Sequence, residues 1–88
     1  MNTQIWKFGP LYPGHKWVPI DIDEFAEFRH FGFQGSRLFF WAEVNPEAGM
    51  LAREFMVIPT GVNVPKEGIY HATAIAPDLT VWHLYERA

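Results

Sequence analysis

The chain contains no cysteine, which excludes disulfide bridges, thiolate nucleophiles and cysteine-based zinc sites. Charge is sparse: Lys and Arg number 7, Asp and Glu 10, and the net charge is −3 with histidine neutral. No basic run occurs, so nothing attracts a phosphate backbone at long range, and general nucleic-acid binding is not expected. No apolar run approaches the roughly 20 residues that a membrane helix needs. Met1-Asn2-Thr3-Gln4 lacks the charged stretch and apolar segment of a secretory signal, so a cytoplasmic protein without a membrane partner is expected. Ser36 is the sole serine. There is no Gly-x-Ser-x-Gly elbow, Walker loop or Gly-x-Gly-x-x-Gly fingerprint, so neither a catalytic residue nor a cofactor is assigned.

What the chain does have is apolar and aromatic. Hydrophobic residues make up 49% and aromatics 17%, with eight Phe, four Trp and three Tyr. A length of 88 residues suits one domain spanning 1–88, and large rings suit its thin core. The same excess leaves more apolar surface than a monomer easily hides. A homo-oligomer is therefore expected, most simply a dimer pairing edge strands or apolar sheet faces.

Apolar residues alternate with a period of two, and Gly and Pro punctuate the runs between them. Short strands are read at Ile5–Phe8, Lys16–Ile20, Arg29–Gln34, Arg37–Val44, Arg53–Pro59, Ile69–Ile75 and Thr80–Tyr85. Tyr12-Pro13-Gly14-His15 reads as a type II turn, and Pro19 consigns its strand to a sheet edge. The acidic stretch near residues 22–28 carries acceptable N-caps and stays open as a short helical turn. Gly35-Ser36 is type II′ hairpin chemistry. It sets Phe33 opposite Leu38, Phe31 opposite Phe40, His30 opposite Trp41 and Arg29 opposite Ala42. A four-residue turn at 76–79 closes the last hairpin. Its register puts Tyr70, Ala72, Ala74, Val81, His83 and Tyr85 on one face, with His71, Thr73, Ile75, Thr80, Trp82 and Leu84 on the other. The fold class is all-β, a small antiparallel barrel or sandwich of six to seven strands.

Several segments, in order along nearly the whole chain, have counterparts elsewhere. They are Ile5-Trp6-Lys7-Phe8, Leu38 to Pro46, Arg53-Glu54-Phe55 leading to Pro59-Thr60-Gly61, Gly68-Ile69-Tyr70 and Val81 to Glu86. Together they resemble a small uncharacterised family, a domain of unknown function found in bacteriophage and actinobacterial proteins. Glu43 and Asn45 depart from its pattern. The resemblance carries no assigned activity and so transfers no catalytic residue. It implies a phage or prophage context, expression in the bacterial cytoplasm and a compact β domain.

Candidate sites follow from residue chemistry. His15, His30, His71 and His83 show no ligand spacing, so no metal site is assigned. Asp21, Asp23, Glu24 and Glu27 read as solvated acids. Arg53 with Thr60, Gly61 and Lys66 could bind an anion through a guanidinium fork and backbone N–H groups. Tyr12, Trp17, His30, Trp41, Trp82 and Tyr85 are amphipathic rings suited to an interface. The favoured function is a non-enzymatic phage-type interaction protein that binds and blocks a host factor, in antiviral defence. The alternatives are a sponge for a small signalling nucleotide, held between subunits by Arg53 and Lys66, and, weakest, a metal-dependent hydrolase.

Overall fold

The computed structural model describes residues 2–88, and Met1 lies outside them. The described residues form seven strands and no helix: β1 Gln4–Leu11, β2 Val18–Asp23, β3 Glu27–Gln34, β4 Arg37–Val44, β5 Met50–Pro59, β6 Gly68–Ile75 and β7 Val81–Arg87. A three-stranded sheet ordered β1-β4-β3 faces a four-stranded sheet ordered β2-β5-β7-β6. Every pairing is antiparallel. The architecture is a sandwich, not a closed barrel.

The period-two pattern explains the core. Phe31, Leu38, Phe40, Ala42 and Val44 point inward from the first sheet. Ile22, Phe55, Val57, Ala74 and Leu84 meet them from the second. Phe40 and Leu84 have no exposed surface, and Phe40 packs 5.1 Å from Phe55 across the layers. Truncating a ring buried to this degree typically costs about 3–5 kcal/mol.

The first hairpin follows the expected register from Gln34↔Arg37 to His30↔Trp41. Gly35 has a φ of 64°, the left-handed conformation that the first position of a type II′ turn requires. The register then breaks. Phe28, not Arg29, lies opposite Ala42. Continued alternation would have aimed the Arg29 guanidinium into the core, so a bulge at Arg29 corrects the pattern. It turns Phe28 inward and leaves Arg29 outside, 3.0 Å from both Glu27 and Glu43.

Three further expectations are corrected. Residues 22–28 contain no helical turn; Asp21 and Asp23 end β2 and pair with Ala52 and Met50. The Asp23 carboxylate that could cap a helix instead accepts the Phe25 N–H at 2.9 Å, while the Asp23 carbonyl accepts the Ala26 N–H, a turn closed by its own side chain. Tyr12-Pro13-Gly14-His15 is not a type II turn: Gly14 lacks a positive φ and donates its N–H to the Val57 carbonyl. The last hairpin is shifted by one residue. Its loop has three residues, Pro77-Asp78-Leu79, with Leu79 left-handed at a φ of 71° and Ala76 bonded to Thr80. Trp82 and Leu84 consequently pair with Ala74 and Ala72 on the core face, whereas Thr73, Ile75, Val81 and His83 lie outside. A second bulge, at His71, restores Tyr70 opposite Tyr85.

β5 and β6 both run antiparallel to β7 and so parallel to each other, so residues 60–67 must carry the chain back along the sheet. That crossover passes over the outer face: Pro65 lies against Gly68 and the Tyr85 ring, and the outward-facing Met56 and Ile58 are buried.

Candidate functional site

The sandwich has two ends. Asp23, Asn45, Arg53, His71 and Glu86 occupy one. The Gly35-Ser36 turn, the 77–79 loop and the Leu11-Tyr12-Pro13 exit from β1 occupy the other.

The first end is sealed. Arg53 Nε and Nη2 donate to the two Glu86 carboxylate oxygens at 2.6 and 2.8 Å. Its Nη1 reaches the carbonyls of Asp23, Glu24 and Ala26 at 3.1–3.4 Å. His71 Nε2 lies 2.7 Å from Glu86 Oε1 and so donates to it. Both bulges serve this arrangement, because they bring the Phe28 and His71 rings into a stack 3.9 Å apart. The Arg53 guanidinium lies 5.5 Å from the Phe28 ring, within cation–π reach. Burial pushes the Glu86 carboxyl up, but the hydrogen bonds from Arg53 and His71 and the positive charge of Arg53 outweigh it, and its pKa is lowered overall. Asp23 is held below the usual carboxylate range first by the Asn45 N–H, then by the Phe25 N–H. Among the described residues no buried side-chain polar atom lacks a partner. This is a saturated structural cluster.

The second end is open. A cleft of about 380 Å³ is floored by Leu11, Phe33, Leu38 and Trp82, with Tyr12, Arg37, Asp78 and Thr80 at its rim. The hairpins place it: both turn at this end, and the three-residue loop aims Trp82 inward. The Trp82 indole donates to Thr80 Oγ1 at 3.1 Å, which leaves the faces of the ring to apolar contact. Tyr12 is 70% exposed. The Thr80 hydroxyl and then its N–H bind Asp78 and lower its pKa, so it is an anion at neutral pH. Arg37 is exposed, and no partner is assigned to its guanidinium among the described residues. The cleft thus combines an aromatic floor, a fixed anion and an unengaged cation.

The sequence-derived residues are distributed between these regions. Arg53 is engaged at the sealed end. Thr60 follows the far end of β5, roughly 23 Å away at about 3.3 Å per residue, where its hydroxyl lies 2.8 Å from His83 Nε2. Gly61 begins the crossover and Lys66 lies near its close, so these four residues are not brought together. Of the six rings, Tyr12 and Trp82 meet at the cleft. His30 and Trp41 pair 5.6 Å apart on the outer face of the three-stranded sheet, Tyr85 lies beneath the crossover, and Trp17 is half-buried before β2. His71 and His83 occupy opposite faces. Among the described residues no group of three or more His, Asp or Glu is arranged to hold a metal ion.

Arg37, Phe33, Leu11 and Asp78 were not singled out as site residues from the sequence. The available signal was that Arg37 leaves one hairpin turn and Asp78 sits in another, and that both turns fall at one end.

Fold and cleft define a small β-sandwich domain with an apolar pocket at one end. The chain belongs to a family described as a domain of unknown function (DUF7352), whose model matches residues 1–88. No curated protein and no solved structure matches it.

Proposed function

We propose that this domain acts by binding and not by catalysis, and that the end cleft receives an apolar anchor side chain from a partner protein. One observation carries the reading: the uncovered cleft, whose aromatic floor is bordered by the unengaged Arg37. An anchor residue filling such a pocket, flanked by an acidic group opposite Arg37, is the usual energetic centre of a protein interface. A host protein as the target, blocked in antiviral defence in the bacterial cytoplasm, is supported by the resemblance to phage proteins. Photo-crosslinking from position 12 in host lysate tests the reading. One dominant product, lost in Arg37→Glu, is expected; a product indifferent to Arg37→Glu and to Phe33→Ala would sink it.

The cleft volume also supports a second reading, since pockets of about 300–1,000 Å³ accommodate small molecules. A signalling nucleotide would stack its base on Trp82 and present phosphate to Arg37, since Arg53 is already engaged with Glu86. Thermal-shift screening with cyclic nucleotides decides: at a hundred-fold excess over Kd, stability should rise by about 2.7 kcal/mol. No ligand-dependent rise would end this reading.

A further inference from the structure

The two sheets do not close equally along their sides. At β3 and β6 they meet: Phe28 stacks on His71 at 3.9 Å, and His30 to Phe33 lie along Thr73 to Pro77. At β1 and β2 they part, and a groove of about 470 Å³ lies between these two strands. Its floor is Phe8, Leu11, Ile20, Phe55 and Val57, and Leu11, Phe55 and Val57 belong to the core. The burial of β2 follows the parting. By alternation Ile22, Ile20 and Val18 share the inward face, yet Ile22 is fully buried, Ile20 half-buried and Val18 49% exposed. The groove shares only Leu11 and Tyr12 with the end cleft.

The groove is poor in hydrogen-bonding groups. Of its lining residues only Lys7 and Tyr12 have polar side chains. The Lys7 ammonium is held on the outer face of its sheet, 2.9 Å from Gln34 Oε1 and 4.7 Å over the Phe39 ring. The strand edges are no better suited to a polar occupant. The Val57 carbonyl accepts the Gly14 N–H, so by alternation Phe55 also turns its backbone toward β2, where it pairs with Val18. Pro19 then faces the open side and has no N–H to offer there. On β1 the ladder is irregular between Phe8 and Leu11, a stretch that contains Pro10. Proline and irregularity at both edges oppose the addition of a peptide strand. A peptide buried without partners for its backbone would be penalised. A hydrocarbon chain needs none.

We propose that the groove between β1 and β2 binds the chain of a free single-chain acyl compound, with its head group left in solvent beyond the strand edges. The chain would lie over Phe8, Ile20 and Val57 and cover the exposed side of Val18. The volume falls in the range of about 300–1,000 Å³ that suits small ligands. Charge favours a dissolved ligand over a lipid bilayer: the chain carries −3, and a polybasic segment is what draws a protein to an anionic membrane surface. This site is independent of the reading given to the end cleft.

Heteronuclear NMR titration of the full chain with hexanoate, octanoate and decanoate tests it. Affinity should rise about four-fold for each added methylene, as burial of hydrocarbon requires. The shifting amides should be those of residues 8–11, 18–20 and 55–57. Val18→Trp, which fills the groove, should weaken decanoate at least ten-fold, and Val18→Asn, which makes its wall polar, several-fold. Both should keep the wild-type circular dichroism spectrum, because Val18 is half-exposed. If Val18→Trp misfolds, Val18→Asn alone decides. Affinity indifferent to chain length, shifts confined to residues 35–38 and 76–80 at the end cleft, or decanoate binding untouched by the Val18 variants would overturn the proposal.

Discussion

At one end of the sandwich, Arg53 bridges Glu86 and three carbonyls of the β2–β3 turn, and His71 stacks on Phe28. At the other, Phe33, Leu38 and Trp82 line a cleft that no element covers. The same strands supply both ends; the difference lies in the connections. Asp23 folds its short turn back over the sheet through bonds to Phe25 and Asn45, whereas the opposite end is ringed by hairpin turns and a Pro-containing exit that stop at its rim. A small domain can close one end with polar groups only if every partner is satisfied. The end left apolar is then the one free to receive something else.

Breaking the sealed end should have the largest effect. Glu86→Ala leaves the Arg53 guanidinium without its carboxylate. It should cost about 2–3 kcal/mol in urea denaturation, below the value for a fully buried pair because both groups keep some exposure. Acid should erode the same end next. Asp23 and Glu86 have pKa values depressed in the folded state, so their contribution is complete above the ordinary carboxylate range, near pH 4, and is lost as pH falls through the lowered folded values. Denaturation midpoints measured from pH 7 downward should fall there, and Glu86→Gln should flatten part of the slope.

The open end should respond less and in the other direction. Leu79 is left-handed and 79% exposed. Leu79→Gly should raise stability by about 0.5–1 kcal/mol, since relief of a strain of about 1–2 kcal/mol exceeds the entropy that glycine adds to the unfolded chain. Arg37→Ala should be smallest, within about 0.5 kcal/mol of wild type by the same denaturation assay, because the guanidinium contributes to the rim and not to the fold.

Much of this architecture was legible in the sequence. Alternation over Arg37–Val44 and the Gly35-Ser36 turn set the β3–β4 hairpin, and Pro19 marked an edge. Where the reading failed, tertiary demands overrode local pattern. Arg29 could not be buried, so β3 bulged; Leu79 accepted a left-handed conformation, so the last hairpin slipped by one residue and turned Trp82 inward. The sealed end could not be read locally, because Arg53, His71 and Glu86 are brought together only by strand order. The cleft was half visible: Tyr12 and Trp82 stood out as rings, but nothing local to Arg37 or Phe33 shows that two hairpins end side by side.

The contrast between the ends is tested most directly by the indole N–H resonances of Trp6, Trp17, Trp41 and Trp82 in a heteronuclear NMR titration. An apolar aromatic probe such as indole serves as the titrant. Trp82 and the amides of residues 35–38 and 76–80 should shift in a saturable manner, while those of 23–26, 45–53 and 86 stay fixed. Shifts centred on the Asp23–Glu86 end, or spread evenly over all four indoles, would contradict the account.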